Sequence, residues 1–531
     1  MRLGIDFGTT RIVVAAVDRG NYPVVEFSAP EGEVQDWFPP LVAAGPGIRL
    51  YGWHAWQAQQ TEGYTVVRSL KRYLQHAGPN TEVEIAGHRL GLLDLLVEML
   101  GELRSAITSS SSLAVAPDEP LQVVLGVPAH ANTNQRFLTA EGFRCAGFEV
   151  LGLLNEPSAA SIEYGHRHRA ATRGKLKDRM LVYDLGGGTF DASLVELGDR
   201  AHSVIASEGI SSLGGDDFDH VLADLALEAG GIDAAEREAM PQAEWFSLHE
   251  ECREKKESLH PNTRKIAIDL ERVRPDWPHV SVAAADYYEA CRPMVDETVH
   301  AVEDLLAAHG LTGADSLQIL YVTGGGSELP AVARILKEQF GRRVQRSAYT
   351  RSATAIGLAI QADAEAGYSL RDTFTRHFGV WREGDGGQRI VFDPLFAKGT
   401  ALPGPEEPPL STVRHYHPVH NIGHFRYLEC SHLDEAGRPT GDITVWDDIL
   451  FPFDPRLAKE TDLSRTTVSA NPVACFGDAE EHYSCDAGGA VTVGIGNTTG
   501  GYRRTYRLGR WSAKEGPLVP GPRARRGRKK P

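Results

Sequence analysis

At 531 residues and a formal net charge of −16, the chain is long enough for two or more domains, and its acidic balance argues against nucleic acid as a partner of the folded body. A composition of 42% apolar and 24% charged residues, with no uninterrupted apolar stretch of spanning length, excludes a membrane-spanning protein and fits a soluble globular one. Met1 runs straight into a strand pattern, so no leader peptide is expected. The six cysteines (Cys145, Cys252, Cys291, Cys430, Cys475, Cys485) form no Cys-x-x-Cys pair, which fits free thiols in a reducing cytoplasm.

The first predicted element is a hairpin. Gly4-Ile5-Asp6-Phe7-Gly8-Thr9-Thr10 reads as strand, acid, glycine and threonines, and the apolar run 12–17 is the returning strand. Further on, 122–127 is a buried strand ending at Pro128, and 132–146 is a helix with Asn or Thr available as N-cap. Residues 181–194 then repeat the opening pattern more strongly. An apolar run carries Asp184, three glycines (Gly186, Gly187, Gly188), Thr189, Asp191 and a second apolar alternation.

Glycines in such a turn let backbone N–H groups crowd onto an anion where a Cβ would block approach. Acids on both sides suit a magnesium–phosphate complex, with backbone for the phosphate oxygens and carboxylate for the metal shell. Two such hairpins about 180 residues apart predict a duplicated fold with a nucleotide in the cleft between its halves. Strand 317–322 feeds a third glycine cluster, 324–326. Pro330 then opens a helix with Val332, Ile335 and Leu336 on one face, a second kind of phosphate or ribose site.

Alternating strands and helices continue to about residue 366. After about 375 the pattern becomes all-β, with strands at 388–392, 424–430, 442–446, 491–495 and 502–508. The basic, Pro/Gly-rich segment from about 512 predicts a disordered tail. The serine run 109–112 reads as a surface loop, the glycines around 494–501 as a hairpin turn, and His415, His417, His420 and His424 as a loop rather than a metal site.

The chain resembles the heat-shock protein 70 chaperones, within the superfamily of actin and the sugar kinases. Besides the two hairpins, the resemblance rests on Val127-Pro128-Ala129, Asn134-Gln135-Arg136, Asn155-Glu156-Pro157-Ser158-Ala159-Ala160, Gly214-Gly215-Asp216-Asp217-Phe218-Asp219 and Thr323-Gly324-Gly325-Gly326-Ser327. It implies an α/β architecture: a duplicated, two-lobed actin-like ATPase domain (1–366), a linker (367–374), a β-sandwich putting forward a peptide-binding surface (375–511) and a basic tail (512–531). Leu395 to Pro403 and Tyr483 to Val493 resemble the family's peptide-binding β-sandwich, which puts Phe392 either at a peptide contact or in the core.

What the resemblance implies for chemistry is attack of water on the γ-phosphoryl of ATP, catalysed by positioning and charge stabilisation. Asp6, Glu156 and Asp184 would order the magnesium shell. Gly8, Thr9, Thr10, Gly186, Gly187, Gly188, Gly214 and Gly215 would cradle phosphates, with Thr189 near the γ-phosphate. Asp191 would orient or deprotonate the water, and Lys71 would stabilise transition-state charge. Gly324, Gly325, Gly326 and Ser327 would face the nucleoside, and Lys256, on the helix 250–259, the ribose. ATP, ADP and Mg2+ are the implied ligands, with K+ as an optional second cation. Unfolded polypeptides, a J-domain protein and a nucleotide exchange factor are the implied partners, in the cytoplasm.

Three departures from the family pattern stand out. Arg253 falls where the family usually has glutamate and Glu328 where an adenine-stacking arginine is common. Either the two face each other across the cleft as a charge swap and jointly hold the adenosine, or the register is off by one turn or both are solvated surface charges. The linker, Tyr368-Ser369-Leu370-Arg371-Asp372, carries one leucine and predicts poor apolar docking. Beyond residue 511 no long amphipathic segment follows, so the β-domain is expected to lack a helical lid. A small-molecule kinase would need an acceptor domain that the sequence does not suggest. A nucleotide-responsive scaffold with weak ATPase remains the other alternative.

Overall fold

Each glycine hairpin opens a sheet of the same plan. In the first, strands Arg2–Phe7 and Ile12–Ala16 are antiparallel, and Arg2–Phe7 pairs in parallel with Gln122–Val127, which pairs in parallel with Glu149–Asn155. In the second, Asp178–Leu185 and Phe190–Leu197 form the hairpin, Asp178–Leu185 runs parallel to Ile319–Thr323, and that strand to Val344–Arg346. Parallel pairs need crossovers, and the helices Thr133–Cys145 and Pro330–Phe340 supply two of them, while Glu156–His168 carries the chain from the first sheet to the second. Helices on the sheet faces explain why Ile12–Ala16 is buried at every position. This computed structural model describes residues 1–507 apart from 31, 46, 60, 75–76, 78–80, 117, 169–177, 312–316, 385–388, 405–406, 461 and 471–475, so Cys475 and the tail 512–531 lie outside the described residues.

The chain divides into two compact units, one of 1–131 and 138–372, the other of 132–137 and 373 onward. Within the first, two helices hold the duplicated halves, or lobes, together. Helix Ala353–Ala362 packs on strand Arg2–Phe7 so closely that a Cβ on Gly4 would meet Ala359 N at 2.2 Å. A Cβ on Gly357 would meet Ala159 O, on helix Glu156–His168, at 1.9 Å. Small residues here allow backbone contact that leucine or valine would prevent. No helix among the described residues is long and apolar enough to cross a membrane.

The segment after the second lobe differs from expectation. Despite its single leucine, Ser369–Arg371 forms a strand parallel to Ala201–Ile210, with His202 opposite Leu370. Backbone pairing does the holding, and Leu370 needs only to cover the patch of Met180, Val182, Val195 and Val204.

The second unit is a β-sandwich. One antiparallel sheet has the order Arg389–Phe396, His377–Gly384, Ile422–Leu433, Pro439–Pro452. The other runs Leu410–Tyr416, Ala479–Cys485, Val491–Asn497, Tyr502–Arg507. Phe378, Val380, Phe425 and Tyr427 from the first sheet meet Tyr483, Val491, Val493 and Ile495 from the second, which is the inter-sheet core. Phe392 is not part of it. The register puts Trp381 opposite Phe392 on the outer face, and Phe392 lies over Gly379, whose Cβ would meet the ring at 2.4 Å.

Candidate nucleotide site

The two hairpin turns meet. A Cβ on Gly187 would lie 2.4 Å from Thr10 Oγ1, and one on Gly188 3.1 Å from Thr9 Oγ1. Helix Gly215–Ala229 starts against the same turn: Gly215 N–H donates to Gly186 O (2.9 Å) and Asp216 N–H to Gly187 O (2.7 Å). The turn carbonyls are thus taken, whereas the N–H groups of Thr9, Thr10, Gly187 and Gly188 have no partner among the described residues. Unpaired N–H groups in a concavity that only glycine permits are a fitting cradle for phosphate. The third glycine cluster closes the side. Gly324 has φ 82°, and a Cβ there would meet Leu185 O at 2.2 Å and Asp184 Oδ1 at 2.5 Å.

Behind the cradle lies a cluster of charges. Asp184 and Asp191 sit directly opposite each other in the hairpin ladder. Lys71, on the short helix Leu70–Leu74, donates to Glu156 Oε1 at 2.6 Å, and the two are only 5% and 7% exposed. Burial pushes the Asp6 carboxyl up against the pull of Lys71. It also raises Glu156 to about 7, with Lys71 opposing and Asp6 and Asp191 reinforcing. Asp184 is raised well above the usual range by burial and then by Glu156, Asp6 and Asp191. Burial would lower Lys71, but Glu156, Asp6 and Asp191 outweigh it and keep the ammonium charged. One lysine among four acids leaves excess negative charge, the donor set a hard divalent cation requires. Asp6, Glu156 and Asp184 all line the cavity and fit that ion.

On the nucleoside side, Lys256 Nζ donates to Gly215 O (2.6 Å) and pairs with Asp219 (2.8 Å). The charge swap between Arg253 and Glu328 is not formed. Arg253 pairs with Glu250 one turn earlier and lies over the Trp56 ring at 4.9 Å. Glu328 accepts from Thr350 Oγ1 (2.5 Å) and from Arg351 (2.7 and 2.9 Å). Each found an opposite charge nearer than the other. Instead, Glu257 accepts from Arg11 (2.8 and 2.9 Å) and from Arg351 (2.9 Å).

The cavity brings together Asp6, Gly8, Thr9, Thr10, Lys71, Glu156, Asp184, Gly186, Gly187, Thr189, Gly215, Arg253, Lys256 and Gly324 to Gly326. Gly188, Asp191, Gly214, Ser327 and Glu328 are not among its lining residues. Ser327 turns its hydroxyl onto Gly324 O (2.6 Å), and Gly214 packs on Gly187. Sequence reasoning missed Arg11, Glu257 and Arg351, all of which line the cavity. The one available signal was position, since Arg11 directly follows Thr9-Thr10 and Glu257 directly follows Lys256.

Paired glycine hairpins at the mouth of a duplicated α/β fold, a lysine–carboxylate cluster behind them and an appended β-sandwich make up an actin-like fold followed by a β-domain. A family model described as Hsp70 protein matches residues 2–419, more than half of the chain, and the chain belongs to the Hsp70 family.

Proposed function

We propose that the chain hydrolyses ATP to ADP and phosphate in this cleft, in the cytoplasm, and uses the cycle to regulate binding of unfolded polypeptide by its β-domain. The observation that carries the reading is the buried Lys71–Glu156 pair beside two glycine turns whose N–H groups are unpaired among the described residues. Thr9, Thr10 and Gly187 receive phosphate oxygens through those N–H groups, and Lys256 serves the ribose side. Asp6, Glu156 and Asp184 hold Mg2+, which supplies charge neutralisation on the phosphates when bound. Lys71, anchored by Glu156, keeps a positive charge where the transferring phosphoryl gains negative charge. Asp191 orients the water.

The β-domain supports the polypeptide part of the reading with an apolar outer face. Trp381, Phe392, Leu428 and Cys430 cluster there, and Ile390 (68% exposed) and Val445 (69% exposed) stand free on the same face. Leu428, Cys430 and Phe392 are buried, so the apolar surface this face offers to an extended apolar chain is that of Ile390 and Val445 on its two edge strands. J-domain proteins and exchange factors are the partners such a cycle would use.

ATP turnover with and without an unfolded peptide, in wild type and Lys71→Ala, tests this. The expected result is peptide-stimulated turnover that Lys71→Ala abolishes while nucleotide still binds. No turnover in wild type would remove the ATPase. Phe392, at 9% exposure, favours a second reading, a nucleotide-responsive scaffold without peptide coupling, and turnover indifferent to peptide would select it.

A further inference from the structure

Asp191 is held by a side chain that the hydrolysis reading does not use. Its carboxylate, 2% exposed, receives two hydrogen bonds on one oxygen: Oδ1 accepts from Ala129 N–H at 2.9 Å and lies 2.9 Å from His130 Nδ1. A carboxylate facing Nδ1 assigns the ring proton to that nitrogen. Oδ2 has no partner among the described residues. Ala129 and His130 follow strand Gln122–Val127 of the first lobe, whereas Asp191 lies on Phe190–Leu197 of the second, so the contact joins the lobes. Room for the ring is built in. Gly209, opposite Asp191 in the ladder, would put a Cβ 2.4 Å from His130 Nδ1 and 3.1 Å from Asp191 Oδ1.

We propose that His130 is a positioning residue for ATP hydrolysis, locking the Asp191 carboxylate so that Oδ2 stays free to orient the attacking water. The proposal rests on the hydrolysis reading above. In the step, the water oxygen bonds to the γ-phosphorus, and the bond from that phosphorus to the β–γ bridging oxygen breaks with its electron pair leaving on ADP. The water proton passes to Asp191 Oδ2 and then to solvent. With both donors on Oδ1, the carboxylate cannot rotate without breaking two hydrogen bonds. A carboxylate free to rotate loses the near-attack geometry that gives the step its rate.

The test compares wild type, His130→Ala and His130→Asn as full chains, reading single-turnover ATP hydrolysis and the affinity for a fluorescent ADP. Asparagine places an N–H close to the position of Nδ1. His130→Ala is expected to lower turnover about ten- to a hundredfold with nucleotide affinity unchanged within about twofold, and His130→Asn to recover most of the rate. Turnover in His130→Ala within about twofold of wild type, an affinity that falls in step with the rate, or an asparagine variant no better than alanine would overturn the role of His130 alone. Should His130→Ala fail to fold, the asparagine variant against His130→Phe decides by the same readouts. A wild type that binds nucleotide but does not hydrolyse it would overturn the hydrolysis reading, and this role with it.

Discussion

Arg11 and Glu257 are joined by two hydrogen bonds, 2.8 and 2.9 Å long, and both line the cavity between the lobes. Arg11 comes from the first hairpin turn and Glu257 from the end of helix Gln242–Glu257, so the pair ties one lobe to the other beside the nucleotide site. Burial opposes the charge on Glu257, but Arg11 and Arg351 outweigh it and hold the carboxyl at about 2. Because that value is below the ordinary 4.5, the stabilisation is complete above pH 4.5 and is lost as pH falls through 2. At neutral pH, Glu257→Gln keeps the shape and removes the charge. Nucleotide dissociation is expected to quicken about tenfold, roughly 1.4 kcal/mol, read by stopped-flow displacement of a fluorescent ADP. Release that is unchanged or slower would mean the pair does not restrain the cleft.

His202 makes the strand Ser369–Arg371 sensitive to acid. The imidazole is buried, bonds Ser161 Oγ at 3.1 Å, lies edge-on to the Tyr368 ring and sits opposite Leu370. Burial lowers it from 6.5 to about 4. A depressed folded value means that the stabilisation is complete above pH 6.5 and is lost as pH falls towards 4, up to about 3 kcal/mol. The hydrogen-exchange protection factor at residues 369–371 is expected to fall over that window in wild type, with His202→Gln flat across it. Equal pH dependence in both would place the titrating group elsewhere.

What was legible in the sequence was what backbone geometry enforces. Gly187 and Gly324 must be glycine because a Cβ at each would strike a neighbouring turn, so the cradle announces itself in the chain. Asp184 and Asp191 are legible because a two-sided hairpin sets them opposite each other. Arg11, Glu257, Arg351, Arg253 and Glu328 were not. Long charged side chains choose among several opposite charges within reach, and the choice is made by the folded lobes rather than by spacing. The strand Ser369–Arg371 misled for the opposite reason: its ladder is made by backbone groups that side-chain composition does not report. His130 is a lone histidine after Pro128-Ala129, and only Gly209, far along the chain, reveals why it fits.

Two helical glycines should respond oppositely to alanine. Gly357 faces Ala159 O at a distance of 1.9 Å from an added Cβ, and both partners are backbone in packed helices. Gly357→Ala must push the helices apart, which is expected to destabilise the first unit by about 3 kcal/mol or more. Gly101 lies within helix Leu92–Ser109 with nothing within 4 Å of its added Cβ. There the helical propensity of alanine acts alone, and Gly101→Ala is expected to stabilise by about 0.5–1 kcal/mol. Denaturant titration of both variants checks the pair, and a stable Gly357→Ala would show that the crossing can relax.

In the β-domain, Glu481 staples the two sheets. It is fully buried and accepts from Arg382 (2.6 and 3.1 Å) and from the hydroxyls of Tyr416 (2.5 Å) and Tyr483. Arg382 also bonds Asp393 at 2.6 Å, and Asp393 accepts from Arg414 at 2.9 and 3.0 Å. Arg382 and Asp393 stand on one sheet and Arg414 and Glu481 on the other, so the Arg382–Glu481 and Arg414–Asp393 pairs cross the sandwich and Arg382–Asp393 links them within one sheet. Removing one member leaves its partner buried and short of charge, which costs about 3–5 kcal/mol, whereas replacing both by apolar residues can cost much less. Glu481→Ala is therefore expected to lower the β-domain transition in calorimetry strongly, and Glu481→Leu with Arg382→Leu to recover part of the loss. Equal loss in the single and double variants would mean that the network holds the sheets through its geometry and not merely by satisfying its own charges.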